Sequence, residues 1–317
     1  MQYLIQESSI KGEIDLTLPT NEMVENVDLN GNIRKKPDTL LKIGINKFMR
    51  NKLAVIGAIT IFFIITAALL APWLAPYRPS EQDITNILAA PSKDHLLGTD
   101  ELGRDTLSRL LYGARISLLV SFSAVIGMKT IGVIVGSVAG YYGGLIDSFL
   151  MRIVDILIAF PQIFLLITLL TVLEPSISIL IFVFIFFSWM GTSRLIRGEF
   201  LTLRSREFVL AARTMGIRTR RIIFSHILPN ALGPLIVSST LSVGGVILSE
   251  SALSYLGLGV QPPTPSWGNM LQSAQDLNIM LNAWWYPLFP GFMILITVLA
   301  FNFVGDGLRD AFDPREK

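Results

Sequence analysis

The chain has 317 residues, of which 51% are hydrophobic and only 16% charged, with 26 Lys and Arg against 24 Asp and Glu. Soluble domains carry about 25% charged residues, so this chain lacks the polar surface that water demands and reads as a polytopic membrane protein. With no Cys and two distant His, His95 and His226, disulfides, thiolate chemistry and a His-type zinc centre are excluded; no metal site is expected, and no basic stripe interleaved with aromatics marks a nucleic-acid interface.

Residues 1–33 hold Glu7, Glu13, Asp15, Glu22, Glu25 and Asp28 against Lys11 alone. No cationic stretch followed by an apolar run marks a signal peptide, and the segment reads as a disordered acidic cytoplasmic tail. Residues 34–52 turn basic, with seven Lys or Arg among Leu40, Leu41, Ile43, Ile45, Phe48 and Met49. That mixture suits a juxtamembrane helix lying on the bilayer surface.

Six apolar segments follow, at about 53–71, 116–139, 153–173, 176–193, 231–249 and 287–305. Each is long enough to cross a ~30 Å hydrocarbon core as a helix. Only helices or closed barrels satisfy backbone groups in lipid, and the short alternating segments of a barrel are missing. The fold class is therefore all-α, a six-helix transmembrane bundle over 53–305 in a lipid bilayer. Pro161 interrupts the third span, where a kink either shapes a pathway or is tolerated in packing. The fifth span carries Gly233, Pro234, Ser238, Ser239, Ser242, Gly244 and Gly245, which serve either close helix packing or a wet pathway. Lys129 lies inside span two, where a charge is costly; it either lines the pathway or snorkels to a partner. Arg152 and Asp155 share a helical face and read as an ion pair. Glu250 ends span five, touching substrate or anchoring the next loop.

Orientation follows from Lys and Arg. Segment 34–52 with its seven Lys or Arg, loop 194–230 with its eight Arg, and tail 306–317 with Arg309, Arg315 and Lys317 all carry Lys or Arg, whereas 250–286 holds neither. Both termini then fall in the cytoplasm of a multi-pass protein of the cell membrane, and 72–115 and 250–286 lie outside. Asp100, Glu101, Arg104 and Asp105 form a charged cluster there, either a self-satisfied network or a docking surface. Trp267 sits in a Pro- and Gly-rich loop able to receive another protein.

Loop 194–230 carries the functional signal. Glu207 to Met215 can form a short helix, Gly216 can end it by taking positive φ, and a second helix can run from about Thr219 to Ile227, ended near Pro229. Two small helices meeting at a glycine make a knob, with Ala211 and Ala212 keeping one face low. This stretch resembles the EAA loop of ABC-transporter permeases: Ala211, Ala212, Gly216, Leu228 and Pro229 match in spacing, while Leu210 stands at the Glu position and His226 at the Ile position. Asn51-Lys-Leu-Ala-Val-Ile-Gly57, His95 to Asp105, Tyr112 to Ser117, Leu256 to Gly268 and Gly305 to Asp310 resemble, in order, the C-type permease of dipeptide and oligopeptide importers. The resemblance covers about residues 48–315. It implies the type I ABC importer permease fold, coupling to an ATPase through Glu207, Ala211, Ala212, Gly216, His226, Leu228 and Pro229, and peptide cargo, with nickel chelates or oligosaccharides as the alternative. It also implies a second, B-type permease, two ATPase subunits that bind ATP and Mg, and an extracytoplasmic solute-binding protein.

This chain has no Gly-x-x-x-x-Gly-Lys-Ser/Thr run, so it is not an enzyme hydrolysing ATP by that route and needs no cofactor of its own. A self-contained secondary transporter would need ionisable residues in several spans, and only Lys129 is so placed. Gly191-Thr-Ser193 suggests a serine nucleophile, but neither His lies in a span to act as its base.

Overall fold

The computed structural model describes residues 40–174 and 176–312. The acidic segment 1–33, residues 34–39 of the basic stretch and residues 313–317 lie outside it. Gly44 onward belongs to one compact unit, and among the described residues its regular structure is helical apart from one isolated bridge between Thr99 and Asp105. In chain order the helices are α1 (Leu40–Arg50), α2 (Lys52–Leu69), α3 (Ala71–Leu74), α4 (Thr106–Tyr142), α5 (Gly144–Ile158), α6 (Gln162–Val172), α7 (Ile177–Leu203), α8 (Glu207–Thr214), α9 (Thr219–Arg221), α10 (Leu228–Tyr255), α11 (Trp267–Gln272), α12 (Leu277–Asn282) and α13 (Trp285–Phe312), with a π-helical turn at Ile222–Ile227.

Five helical rods are long and apolar enough to cross a membrane, and six if α5 and α6 count as one broken span. The helix starts are chemically marked. Asn51, Asp105 and Ser176 each accept a hydrogen bond from a backbone N–H of the first turn, satisfying donors that no carbonyl can reach.

Four expectations change. The third span is not one kinked helix: α5 and α6 meet at 76°, because Pro161 lacks a donor and forces the preceding residues out of helical geometry. The fourth does not stop at Ser193 but continues to Leu203, and the last runs past Gly305 to Phe312, so most of the expected 306–317 tail is helix. Pro229 does not end a helix. Thr219–Tyr255 is one 37-residue rod passing through it; the π-turn absorbs the proline's missing hydrogen bond, with Leu228 N–H bonding back to the Ile223 carbonyl.

α4 and α7 form the spine. Gly132, Gly136 and Gly140 stand one turn apart on α4, and a Cβ on any of them would strike α7. At Gly136 it would fall 2.5 Å from the Ser193 carbonyl oxygen and 2.9 Å from Ile196 Cβ. Small residues at this spacing let backbones approach, the main device for association where no hydrophobic effect acts between helices. Around this contact Leu118, Val125, Met128, Leu180, Val183 and Phe184 fill the core. Leu288, Phe292, Leu295 and Leu299, on one stripe of α13, remain exposed, as do Phe62 and Phe63 of α2. Such stripes suit lipid or a neighbouring membrane subunit.

Gly136→Val should overpack the spine and cost about 1–3 kcal/mol or more, whereas Gly245→Ala, where an added Cβ meets nothing within 4 Å, should be neutral or stabilising by about 0.5–1 kcal/mol. Unfolding of the detergent-purified variants checks both; equal stability would disprove the tight contact.

Candidate functional site

The arginine-rich end of the bundle carries the knob. α8 begins at Glu207 and ends at Thr214, and Gly216 takes φ +72°. Gly216 N–H bonds to the Arg213 carbonyl and Ile217 N–H to the Ala212 carbonyl (3.0 and 3.1 Å), a Schellman closure that glycine accommodates without strain. The expected helix–glycine–helix hinge is therefore present in geometry.

Its faces differ from the expectation. Ala212 is buried, packed with Val209, Ile222, Ile223 and Ile227 against Tyr141 of α4 and Ile196 and Phe200 of α7. The outward face instead shows Phe208, Leu210, Ala211, Met215 and Phe224. Glu207 is exposed at the first turn, Pro229 is exposed, and His226 and Leu228 are half-buried. His226 contributes its carbonyl, which accepts from Asn230 Nδ2 at 2.6 Å. The arginines tie this end together. Arg204 Nη1 donates to the carbonyls of Gly140 and Tyr141 at the α4 terminus, where a helix leaves acceptors unpaired. Arg197 grips Asp147 with two hydrogen bonds, and Arg213 lies 4.9 Å over the Tyr141 ring. Asp155 pairs with Arg194 rather than with Arg152, since α7 brings a guanidinium against α5.

Beside the knob opens a cavity of about 790 Å³ lined by Gly191 and Leu195 of α7, Gly233, Pro234, Ser238 and Ser242 of α10, and Arg309 and Phe312 of α13. The structure brings three sequence-selected residues together here: Lys129 Nζ donates to Ser238 Oγ at 2.6 Å, and Ser242 Oγ to the Ser238 carbonyl. Pro161 is exposed and is not among the residues that line the cavity.

At the opposite end the sequence-selected residues turn inward. Glu250 is fully buried and accepts from Ser254, Ser266 and Ser117 hydroxyls (2.8, 3.0 and 3.4 Å), which makes it the anchor of the following loop and leaves it no face on the cavity. Trp267, also fully buried, donates its backbone N–H to Ser117 Oγ and its indole N–H to the Leu110 carbonyl. Asp100 accepts from Arg104 Nε (2.6 Å) and two backbone amides and faces Arg109. Asp105 caps α4 through Ser108 and meets His95 Nδ1 at 2.9 Å. Asp100, Arg104, Asp105 and Trp267 are thus inside the loop scaffold and offer nothing to a docking protein; only Glu101 keeps a partly exposed side chain. Buried polar groups need partners, and the loop's own acids and bases supply most of them, Glu101 Oε2 and Thr106 Oγ1 being exceptions. Hydrogen bonds from Thr85 and Asn86 hold Asp83, on the surface nearby, below the usual carboxylate range.

Residues 132–317 match the family of binding-protein-dependent transport system inner membrane components, and residues 39–91 match the N-terminal membrane domain of oligopeptide transport permease C. The chain belongs to this family of ABC importer permeases, on the dipeptide and oligopeptide permease C branch. It is 45% identical to the dipeptide transport system permease protein DppC of Alkalihalophilus pseudofirmus over 84% of this chain and 88% of that one. It is 43% identical to the oligopeptide transport system permease protein OppC of Bacillus subtilis, covering 89% and 92%. It is 44% identical to the di/tripeptide transport system permease protein DppC of Pseudomonas aeruginosa, covering 85% and 90%. This importer permease is accordingly a multi-pass membrane subunit of type I fold that binds no cofactor itself, and is not an enzyme.

Sequence reading missed the Gly132, Gly136, Gly140 stripe, although its four-residue spacing is visible; it missed Arg309 at the cavity as well, because nothing in the linear pattern places α13 beside α10. Trp267→Ala should cost the permease about 3–5 kcal/mol and open segment 256–266 to protease, while Ile84→Ser, on an exposed loop, should stay within about 0.5 kcal/mol. Thermal unfolding and limited proteolysis read this out, and an unaffected Trp267→Ala would contradict the anchoring role.

Proposed function

We propose that this permease imports peptides of the dipeptide and oligopeptide class, received from an extracytoplasmic solute-binding protein and driven by two ATPase subunits docked on α8. A second, B-type permease completes the pathway, and ATP and Mg are bound by the ATPases. The arginine-rich end and both termini face the cytoplasm of a cell-membrane protein, in keeping with positive-inside bias. The cargo names of the relatives support the substrate class.

The observation that carries the mechanism is the two-sided knob. Its inner face is one packed cluster with the ends of α4 and α7, and its outer face is an apolar set free to enter a groove. The knob leads through the π-turn into α10, the helix supplying most of the cavity wall. A push on α8 is therefore delivered to the lining helix, and the π-turn, whose hydrogen bonding is irregular, is the place where the rod can flex. Docking of the binding protein falls to exposed apolar groups on the opposite end, Trp73, Ile84, Leu96 and Leu102, in place of the buried acidic cluster.

Gly216→Val puts a β-branched side chain at positive φ, about 1–2 kcal/mol of strain, in open space where no neighbour is displaced. The assembled complex should keep hydrolysing ATP while peptide uptake into proteoliposomes falls roughly tenfold; normal uptake would refute the knob. Cysteines at Ala211 or Met215, paired with cysteines in the ATPase groove, should crosslink, whereas a cysteine at buried Ala212 should not. The reverse pattern would place the docking face elsewhere.

A further inference from the structure

Lys129 is nine-tenths buried between α4 and α10. Among the described residues no carboxylate lies within ion-pair distance of it, and its hydrogen-bond partner is a neutral hydroxyl. A buried ammonium left like this is costly, and such a charge is retained where an anion visits it.

The hydroxyl beside it is set apart from its neighbours. Ser239, Thr240 and Ser242 all donate back to carbonyls one turn earlier on α10, spending their protons inside the helix. Ser238 does not. Its oxygen accepts from Lys129, and among the described residues its own proton has no acceptor. Ser238 also lines the 790 Å³ cavity, whose walls include Arg309 and, among the described residues, no Asp or Glu. The volume lies within the ~300–1,000 Å³ range of small-molecule sites. Lys129 reaches the cavity wall through Ser238, and Arg309 on the cavity gives an anion somewhere to go on leaving Lys129.

We propose that Lys129 and Ser238 together bind the free carboxylate of the peptide in transit, Lys129 through an ammonium N–H and Ser238 through its unspent O–H. The site makes an ionised carboxyl terminus a preferred cargo feature at the permease, after the binding protein has released the peptide. This rests on the peptide-importer reading and adds to it a recognition step within the bundle.

The test uses the complete importer in proteoliposomes, with its binding protein fully loaded with one tripeptide in free-acid or C-terminal amide form, loading being measured separately. Lys129→Met should slow uptake of the free acid roughly tenfold, the size of one charge-assisted hydrogen bond, and change the amide by less than about twofold. Lys129→Arg should keep the wild-type preference. Ser238→Ala should shift the acid-to-amide ratio in the same direction by about threefold, and stands as the test if Lys129→Met does not assemble. Equal slowing of both peptides, or an unchanged ratio in Ser238→Ala, would overturn the proposal. So would loss of the second permease from purified Lys129→Met with Ser238→Ala neutral, which would assign the carboxylate to that subunit. A wild-type complex that moves neither peptide would instead defeat the importer reading itself.

Discussion

The close approach of α4 and α7 over Gly132, Gly136 and Gly140 is the constraint on which the rest of the permease depends. In a bilayer no hydrophobic force presses two helices together, so contact area and short backbone distances must do it. Three absent side chains bring the α7 backbone onto α4, and the consequences appear at the arginine-rich end. Only with α7 that close can Arg204 reach the last carbonyls of α4 and Arg197 reach Asp147. The platform formed there by Tyr141, Ile196 and Phe200 is the surface on which α8 packs. A larger residue at any of the three positions would act on the knob without touching it.

The two ends of the bundle solve the same problem with opposite chemistry. At the arginine-rich end, guanidinium groups cap helix termini and apolar residues are left showing. At the other end, acids and hydroxyls are folded inward: Asp100 holds Arg104 and Arg109, Asp105 caps α4, and Glu250 gathers three serines from α4, α10 and the segment before α11. A carboxyl satisfied by so many donors is expensive to disturb, so these loops are rigid parts of the scaffold. The first end leaves apolar surface showing while the second keeps a fixed shape.

Most of the spans were legible from hydropathy, because length and apolarity are local properties of sequence. The helix–glycine–helix knob was legible too, since a positive φ at Gly216 is demanded by the chain reversal itself. What escaped were facts about which face meets which. Ala212 was read as outward-facing because small residues suit docking; the packing of Val209 and Ile222 around it decides otherwise. For Asp100 both a self-satisfied network and a docking surface were open, and the network is what forms; its partner Arg109, like the Leu110 carbonyl that holds Trp267, is set by how the loops fold onto α4. Pro229 was read as a terminator because proline lacks a donor, and the π-turn ahead of it shows that a rod can continue when the register widens. The glycine stripe has no hydropathy signature, and its four-residue spacing acquires meaning only once α7 is known to lie against that face of α4.

The path from knob to cavity follows from continuity of backbone rather than from any chain of side-chain contacts. α8, the π-turn and α10 are consecutive in sequence, and α10 carries Pro234, Ser238 and Ser242 on the cavity side. A rigid helix transmits displacement along its length, so motion imposed at Met215 arrives at Ser238 unless the rod bends. Two features permit bending, the π-turn at Ile222–Ile227 and the proline at 234, and both lie between the knob and Ser238. The segment beyond them is fastened at its far end by Glu250. Under the proposed coupling the rod is pushed at one end and pinned at the other, and a displacement of the knob bends it at the π-turn and at Pro234, one turn ahead of the stretch of α10 that faces Lys129.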